Sequence, residues 1–430
     1  MFNPAQGPYD ENGPGGYTYE SNTINQVPNP VAEINETERV LNANRAIGDM
    51  YLDWDIIPGL QYKLKLGMDA FFTKEQQYIP SFIRRGQEKG KGYNVNMQGY
   101  TWLMENTLSY TRDFDRHHLT VLVGHTVQKY VSEDTDIAIE RFEDDRLGYY
   151  NLGLGLDKTV NTGYQSWSML SGIGRAMYNF DSKYYLTVSG RADGSSKFGS
   201  SNKWGFFPSA SLAWRVSGED FFSSVDAINS LKIRASVGTV GNEGIPPGST
   251  ISLMGSVPYF FGELASSKVL GAYVYSLAND ELKWEVTTQY NAGFDLSMFE
   301  SRIMLTSEVY LKNTSDLLLY VPINRSSGFE YAWSNVGDMS NRGVEFSLST
   351  VNISGAFEWR TRLNVAFNRN EVTNLAQSTD IYGIPIMNIL DWTKISVGKP
   401  IGTIYGYKTD GILQQDEDPE EQPFFPSKII

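Results

Sequence analysis

Leu60-Gln61-Tyr62-Lys63-Leu64-Lys65-Leu66-Gly67-Met68-Asp69-Ala70 sets the rhythm of this protein: every even position is apolar or aromatic, and every odd one is polar or glycine. Successive side chains of an extended strand point to opposite faces. The segment therefore has one wholly apolar face and one that carries Lys63, Lys65 and Asp69. The alternation returns in Leu231-Lys232-Ile233-Arg234-Ala235-Ser236-Val237-Gly238 and in Gln289-Tyr290-Asn291-Ala292-Gly293-Phe294-Asp295-Leu296. Gly343-Val344-Glu345-Phe346-Ser347-Leu348 and Arg360-Thr361-Arg362-Leu363-Asn364-Val365 repeat it. Such strands place one face against an apolar medium, either the second layer of a soluble sandwich or lipid.

The connections separate these two readings. Candidate strands lie near 46–54, 61–72, 99–111, 118–127, 168–178, 184–191, 205–216, 231–238, 288–298, 302–312, 342–352, 358–368 and 400–411, about thirteen in all. Ile56-Ile57-Pro58-Gly59, Asp113-Phe114-Asp115-Arg116, Phe180-Asp181-Ser182 and Phe299-Glu300-Ser301 read as tight turns. Between them lie long stretches at 73–98, 128–167, 239–287 and 313–341. That alternation gathers tight turns at one end of a sheet and long loops at the other, as in outer-membrane barrels with short periplasmic turns. Repeated long loops are foreign to compact soluble domains. The expectation is an all-β, antiparallel up-and-down transmembrane β-barrel, present in part. Residues 1–45 read as an extracellular irregular segment, 46–412 as barrel and 413–430 as an acidic tail. Phe71-Phe72, Tyr184-Tyr185, Phe206-Phe207 and Phe221-Phe222 fall at expected strand ends, where aromatic rings favour the membrane–water boundary.

Composition removes other classes. The 430 residues include 36 Lys and Arg against 50 Asp and Glu, a net charge of −14, and no cysteine. Nucleic-acid binding needs clustered basic residues, and thiolate chemistry needs cysteine. No apolar run reaches the length of a membrane-spanning helix, and the opening Met1-Phe2-Asn3-Pro4 lacks the regions of a signal peptide. Among the three histidines, His117, His118 and His125, the spacing of the last two puts them on opposite faces of one strand, against a shared metal. Gly172-Ile173-Gly174 lacks the rest of a dinucleotide fingerprint, and no nucleophile elbow or zincin motif occurs. Glu133-Asp134-Thr135-Asp136 and Asp416-Glu417-Asp418 lack EF-hand spacing and read as solvated surface runs. The expectation is no enzyme, no cofactor and no metal.

Several segments resemble the SusC/RagA family of TonB-linked outer-membrane proteins. The most specific run is Ser189-Gly190-Arg191-Ala192-Asp193-Gly194-Ser195-Ser196-Lys197-Phe198-Gly199, followed by Asn202 to Arg215 with Trp204, Pro208 and Trp214. Leu282-Lys283-Trp284-Glu285, Asn335-Val336-Gly337, Asn341-Arg342-Gly343-Val344-Glu345 and Gly406-Tyr407-Lys408-Thr409-Asp410-Gly411 extend the likeness over most of 45–412. The resemblance implies the barrel portion of a larger, plugged barrel, truncated at both ends. It implies import of oligosaccharides or peptides, with energy from TonB and a SusD-like lipoprotein as an extracellular lid. The polar face would then line the lumen, through Lys63, Lys65, Asp69, Lys232, Arg234, Asn291, Asp295, Glu345, Arg360 and Arg362, and the other face would meet outer-membrane lipid. Trp102, Trp333, Tyr259, Phe260 and Phe261 are candidates for stacking on sugar rings. The alternative class is a soluble or cell-surface β-rich carbohydrate-binding or adhesin module, favoured if the apolar faces pack against each other.

Overall fold

The computed structural model describes residues 7–18, 29–83, 90–260, 268–375, 380–382 and 393–406. A short helix α1 (Pro30–Glu36) is capped by the Asn29 side chain, which accepts from the backbone N–H groups of Val31 and Ala32. The strands then follow in chain order: β1 (Glu38–Ile57), β2 (Leu60–Ile79), β3 (Lys91–Phe114), β4 (His117–Glu140), β5 (Asp157–Phe180), β6 (Tyr184–Ser195), β7 (Trp204–Arg215) and β8 (Ile228–Asn242). After them come β9 (Met254–Phe260), β10 (Lys268–Val274), β11 (Glu285–Met298), β12 (Ile303–Ser315), β13 (Leu318–Pro322), β14 (Tyr331–Asn335), β15 (Asp338–Ile353) and β16 (Trp359–Asn374). The short β17 (Ile381–Tyr382), β18 (Thr393–Ile395) and β19 (Thr403–Ile404) complete the set.

Twelve strands form one sheet in the order β1-β2-β3-β4-β5-β6-β7-β8-β11-β12-β15-β16, so sheet neighbours are sequence neighbours apart from the hairpins β9–β10 and β13–β14. This is the up-and-down antiparallel pattern expected from the alternation. The expected thirteenth strand is not part of it: Thr403–Ile404 pairs with β18 in a separate three-stranded sheet, and 407–411 lie outside the described residues. The chain divides into two compact units, one of Met1–Leu52, Leu64–Glu105 and Val127–Ser168, the other of Asp53–Lys63, Asn106–Thr126 and Met169–Ile430.

Turn chemistry fixes the tight end. Asp115, Asp181, Ser182, Phe299, Glu300 and Ser301 all have positive φ, the twist that short hairpin turns require, and Gly59 supplies it between β1 and β2. At the other end the strands run further than expected. β1 begins at Glu38, β2 continues to Ile79 and β5 starts at Asp157. β3, β4 and β5 each reach 24 residues, well beyond the roughly 9–11 that a tilted strand needs to cross a bilayer. Phe71-Phe72 is consequently inside β2, and Glu133-Asp134-Thr135-Asp136 inside β4, where both had read as strand end or loop. Polar residues alone did not mark these as loops, because an extended ladder can continue in water with both faces polar.

Register shows how the faces sort. Tyr178, Leu186, Leu212, Ala235, Ala292, Val309, Val344 and Phe367 stand directly opposite one another across β5 to β16, forming one apolar row. A second row, nearer the tight turns, is Leu231, Leu296, Leu305, Leu348 and Leu363. Among the described residues no second layer covers this face: Leu212 is 60%, Val309 48% and Phe367 65% exposed. Buried clusters lie instead at the long-loop ends of the strands.

Candidate functional site

Tryptophans bracket the apolar face. On β7, Trp204 and Trp214 share the face of Phe206 and Leu212. Ten residue steps between them span about 33 Å along the strand, or about 25 Å once tilted by roughly 40°, the height of the lipid-facing band of an outer-membrane barrel. On β16 the bracket is Trp359 and Phe367, 54% and 65% exposed. Relative to the paired rows, the band drops toward the tight turns from β7 to β16. A stagger of that kind follows when strands tilt relative to a common plane.

The opposite face is polar and internally paired. Arg234 on β8 reaches Glu308 Oε2 of β12 at 2.7 Å and Asp295 Oδ2 of β11 at 3.5 Å. Asn291 Nδ2 donates to Glu308, and Thr306 Oγ1 donates to Asp295 Oδ1 at 3.0 Å. Glu345 stands opposite Glu308 in register, so two carboxylates share that position with a single guanidinium. In the other unit, Arg45 on β1 pairs with Asp69 on the polar face of β2. The register thus places Lys232, Arg234, Asn291, Asp295, Glu345 and Arg362 on one face, and alternation adds Arg360. Lys63, Lys65 and Asp69 share one face of β2.

Several of the motif residues do something else: they fasten the long loops into a buried core. Phe198, Phe207, Ile245, Leu282, Trp284 and Leu318 pack together, with Met169, Val286 and Trp333 against them. Trp284 lies 5.2 Å from the Phe198 ring and 5.4 Å from the Phe207 ring, and its Nε1 donates to the Lys203 carbonyl at 3.0 Å. Arg191 Nε donates to the buried Asp193 at 2.6 Å and its Nη2 to Ser171 Oγ at 2.9 Å, which fixes the exit of β6. Ser195, also buried, takes the Lys197 N–H on its Oγ at 3.2 Å. Glu285 receives Asn242 Nδ2 at 3.2 Å and the Leu318 N–H at 3.0 Å. Asn335 accepts the Lys283 N–H and donates to the carbonyls of Lys283 and Asp316, each at 2.9 Å. Segments 196–203, 243–253, 276–284 and 316–337 are therefore joined by side chains aimed at backbone groups, which is how irregular chain satisfies its buried polar atoms.

The remaining motif residues stand apart. A Cβ at Gly194 would lie 2.9 Å from the Trp204 ring, and one at Gly343 would lie 2.5 Å from both the Tyr310 hydroxyl and the Phe367 carbonyl, so these glycines are the slots that the two rings cross. Asn341 is paired with Lys312 and Asn370 on the polar face. Pro208 sits where the β7–β8 ladder stops at Ser209, so its missing N–H costs no ladder bond there. Trp214 belongs to the tight-turn end, where its ring stacks on Tyr184 at 6.4 Å and its Nε1 donates to Glu219 at 3.0 Å. Glu219 also accepts from the Tyr184 hydroxyl at 2.6 Å and pairs with Lys183 at 3.3 Å. The bond from Tyr184, then that from Trp214, holds the Glu219 carboxyl below the usual range. At the outer end of β2, the Tyr78 hydroxyl donates to Asp145 Oδ1 at 2.7 Å.

The aromatic candidates divide. Trp102 has the parity of Asn106, which bonds to Tyr62 on the apolar face of β2, so Trp102 points to the apolar side of the wall. Trp333 packs on Tyr320 at 5.5 Å and against the loop core. Tyr259 is exposed on the β9–β10 hairpin; the Phe260 side chain and Phe261 lie outside the described residues. The histidines take separate partners: Tyr178 for His117, Asp113 for His118 and Asn106 for His125. Sequence reasoning missed Asn279, whose Nδ2 holds the Trp333 carbonyl at 2.9 Å, and Glu243, which holds Lys197 at 3.3 Å. Loop partners so far apart in sequence leave no periodic signal.

With that geometry in place, the likeness to known proteins is informative. The family model described as TonB dependent receptor-like, beta-barrel, matches residues 2–405. "TonB-dependent receptor P3" of Formosa agariphila is 32% identical over 426 residues, covering 97% of this chain and 42% of that protein. "TonB-dependent receptor SusC" of Bacteroides thetaiotaomicron is 26% identical over 384 residues, covering 85% of this chain and 36% of that protein. The chain thus spans roughly two fifths of the curated relatives it matches. Among solved structures, the RagAB peptide transporter superposes with a TM-score of 0.80 at 24% identity, over 92% of this chain and 43% of that one.

Proposed function

Because the chain belongs to the TonB dependent receptor-like β-barrel family, we propose that it supplies wall and outer loops to an outer-membrane importer of oligosaccharides or peptides. The observation that carries this reading is the two-faced wall: an uncovered apolar band bracketed by tryptophans on one side, and a paired polar network on the other. The polar side suits a hydrated lumen, and the apolar side suits lipid. The loops at the long end, held by Trp284, Glu285 and Asn335, form the rigid rim on which substrate and a SusD-like lipoprotein would rest. Energy would come from TonB acting on a part of the assembly other than this wall. No covalent step is involved, so the residues named serve as wall, rim and lumen lining.

A soluble or surface carbohydrate-binding module needs its apolar faces packed inside the fold, and the exposure of Leu212, Val309 and Phe367 runs against it. The test is fractionation of the protein as the cell makes it, followed by uptake of labelled oligosaccharides and oligopeptides with and without the gene. Extraction from outer membranes only by detergent, with uptake lost on deletion, supports the proposal. A soluble, monodisperse, cooperatively folding protein would overturn it.

A further inference from the structure

We infer that Arg342 and Arg369 form a docking site for the phosphate of an anionic lipid in the outer leaflet. The two are directly opposite each other on β15 and β16. Each lies two residues beyond the last apolar residue of its strand on that face, Val344 and Phe367, toward the long loops. Both are exposed. Like charges placed opposite each other across a ladder repel, so an anion between them relieves a built-in cost. Among the described residues neither arginine forms an ion pair. Glu371, the next residue outward on that face and opposite Ser340, forms none either.

The adjoining surface identifies the occupant. Immediately below the arginines runs the apolar band through Val309, Val344 and Phe367, so a group held between the two guanidinium forks is one whose remainder lies along that band. A lipid phosphate has that shape: forks meet its oxygens, and acyl chains cover the band. At the edge of the band an arginine escapes most of the cost it would carry at the bilayer centre. Attraction of basic residues to an anionic leaflet acts over this range. The inference rests on the reading of the apolar face as lipid-facing.

The experiment uses the protein purified in detergent from outer membranes as the cell makes it. Native mass spectrometry would count retained diphosphorylated lipid A against the same lipid with both phosphates removed. The wild type is expected to retain the phosphorylated form about 30-fold more tightly, the factor two basic residues confer at a lipid surface. R342Q/R369Q is expected to lose that preference, and R360Q/R362Q, on the opposite face of β16, to keep it. Inorganic phosphate at millimolar concentration is expected not to compete. Equal retention of the two lipids by wild type, which needs no variant to fold, would overturn the inference, as would displacement by free phosphate. A protein found outside the membrane would fail the wall reading itself, whereas a membrane-inserted protein without lipid preference would fail only the arginine site.

Discussion

Trp284→Ala should release the rim and spare the wall. Trp284 is 6% exposed, touches two aromatic rings, and satisfies the Lys203 carbonyl. Removing a buried tryptophan costs roughly 3–5 kcal/mol, and the stranded carbonyl, if water does not reach it, adds roughly 1–3 kcal/mol. These terms overlap, so about 4 kcal/mol is a fair expectation, close to a thousandfold in a local opening equilibrium. The Phe198, Ile245, Leu282 and Leu318 side chains share that core, so opening should involve 196–203, 243–253, 276–284 and 316–337 together. The central rungs of β6, β7 and β8 are fixed by their own ladder and by lipid, and should keep their protection. Hydrogen–deuterium exchange on protein in detergent or nanodiscs measures this segment by segment. Unchanged exchange in those loops would refute the account of the rim, and so would equal loss of protection in the wall.

Other outcomes follow from single contacts. Gly343→Ala sets a methyl group against the Tyr310 hydroxyl and the Phe367 carbonyl; backbone on one side cannot yield, so a loss of about 1–3 kcal/mol should show as a lower heat-modification midpoint on gels. Asn335→Ala removes one acceptor and two donor bonds that join the loops and should loosen 279–283 and 316–337 in exchange experiments, whereas Asn335→Asp keeps only the acceptor. For Glu219 the sign is set by its depressed carboxyl: its stabilisation is present above the ordinary carboxylate range and is lost as pH falls through the lowered folded value. The thermal midpoint of wild type should therefore fall more between pH 5 and 3 than that of Glu219→Gln, measured by differential scanning fluorimetry; parallel curves would contradict the assignment.

Much of the wall was legible because alternation is a local property. Leu60 to Ala70 and Leu231 to Gly238 state their faces outright, and the registered rows show both faces as read. Strand ends were less legible. Residues 73–79 and 128–140 continue as strand, although their polarity imitates a loop, since a ladder that leaves the membrane no longer needs an apolar face. The thirteenth strand failed for a related reason: Thr403–Ile404 pairs with β18 outside the twelve-stranded sheet, because strand pairing is decided by long-range neighbours. The motif around Arg191 to Trp214 was visible as a pattern, while its physical role was not. Only the structure shows Trp284, Glu285 and Asn335 holding Lys203, Leu318 and Lys283 over separations of dozens of residues.

The central claim is that the row through Leu212, Val309 and Phe367 faces lipid while Ser211, Glu308 and Asn368 face away from it. The absence of native cysteine allows a direct test: single cysteines at these six positions, spin-labelled in the protein in its own outer membrane, read for collision with oxygen and with a water-soluble nickel chelate. Oxygen accessibility should be high at 212, 309 and 367 and low at 211, 308 and 368, with nickel showing the reverse. No alternation between neighbours, or high nickel accessibility at 212, 309 and 367, would contradict the lipid-facing wall.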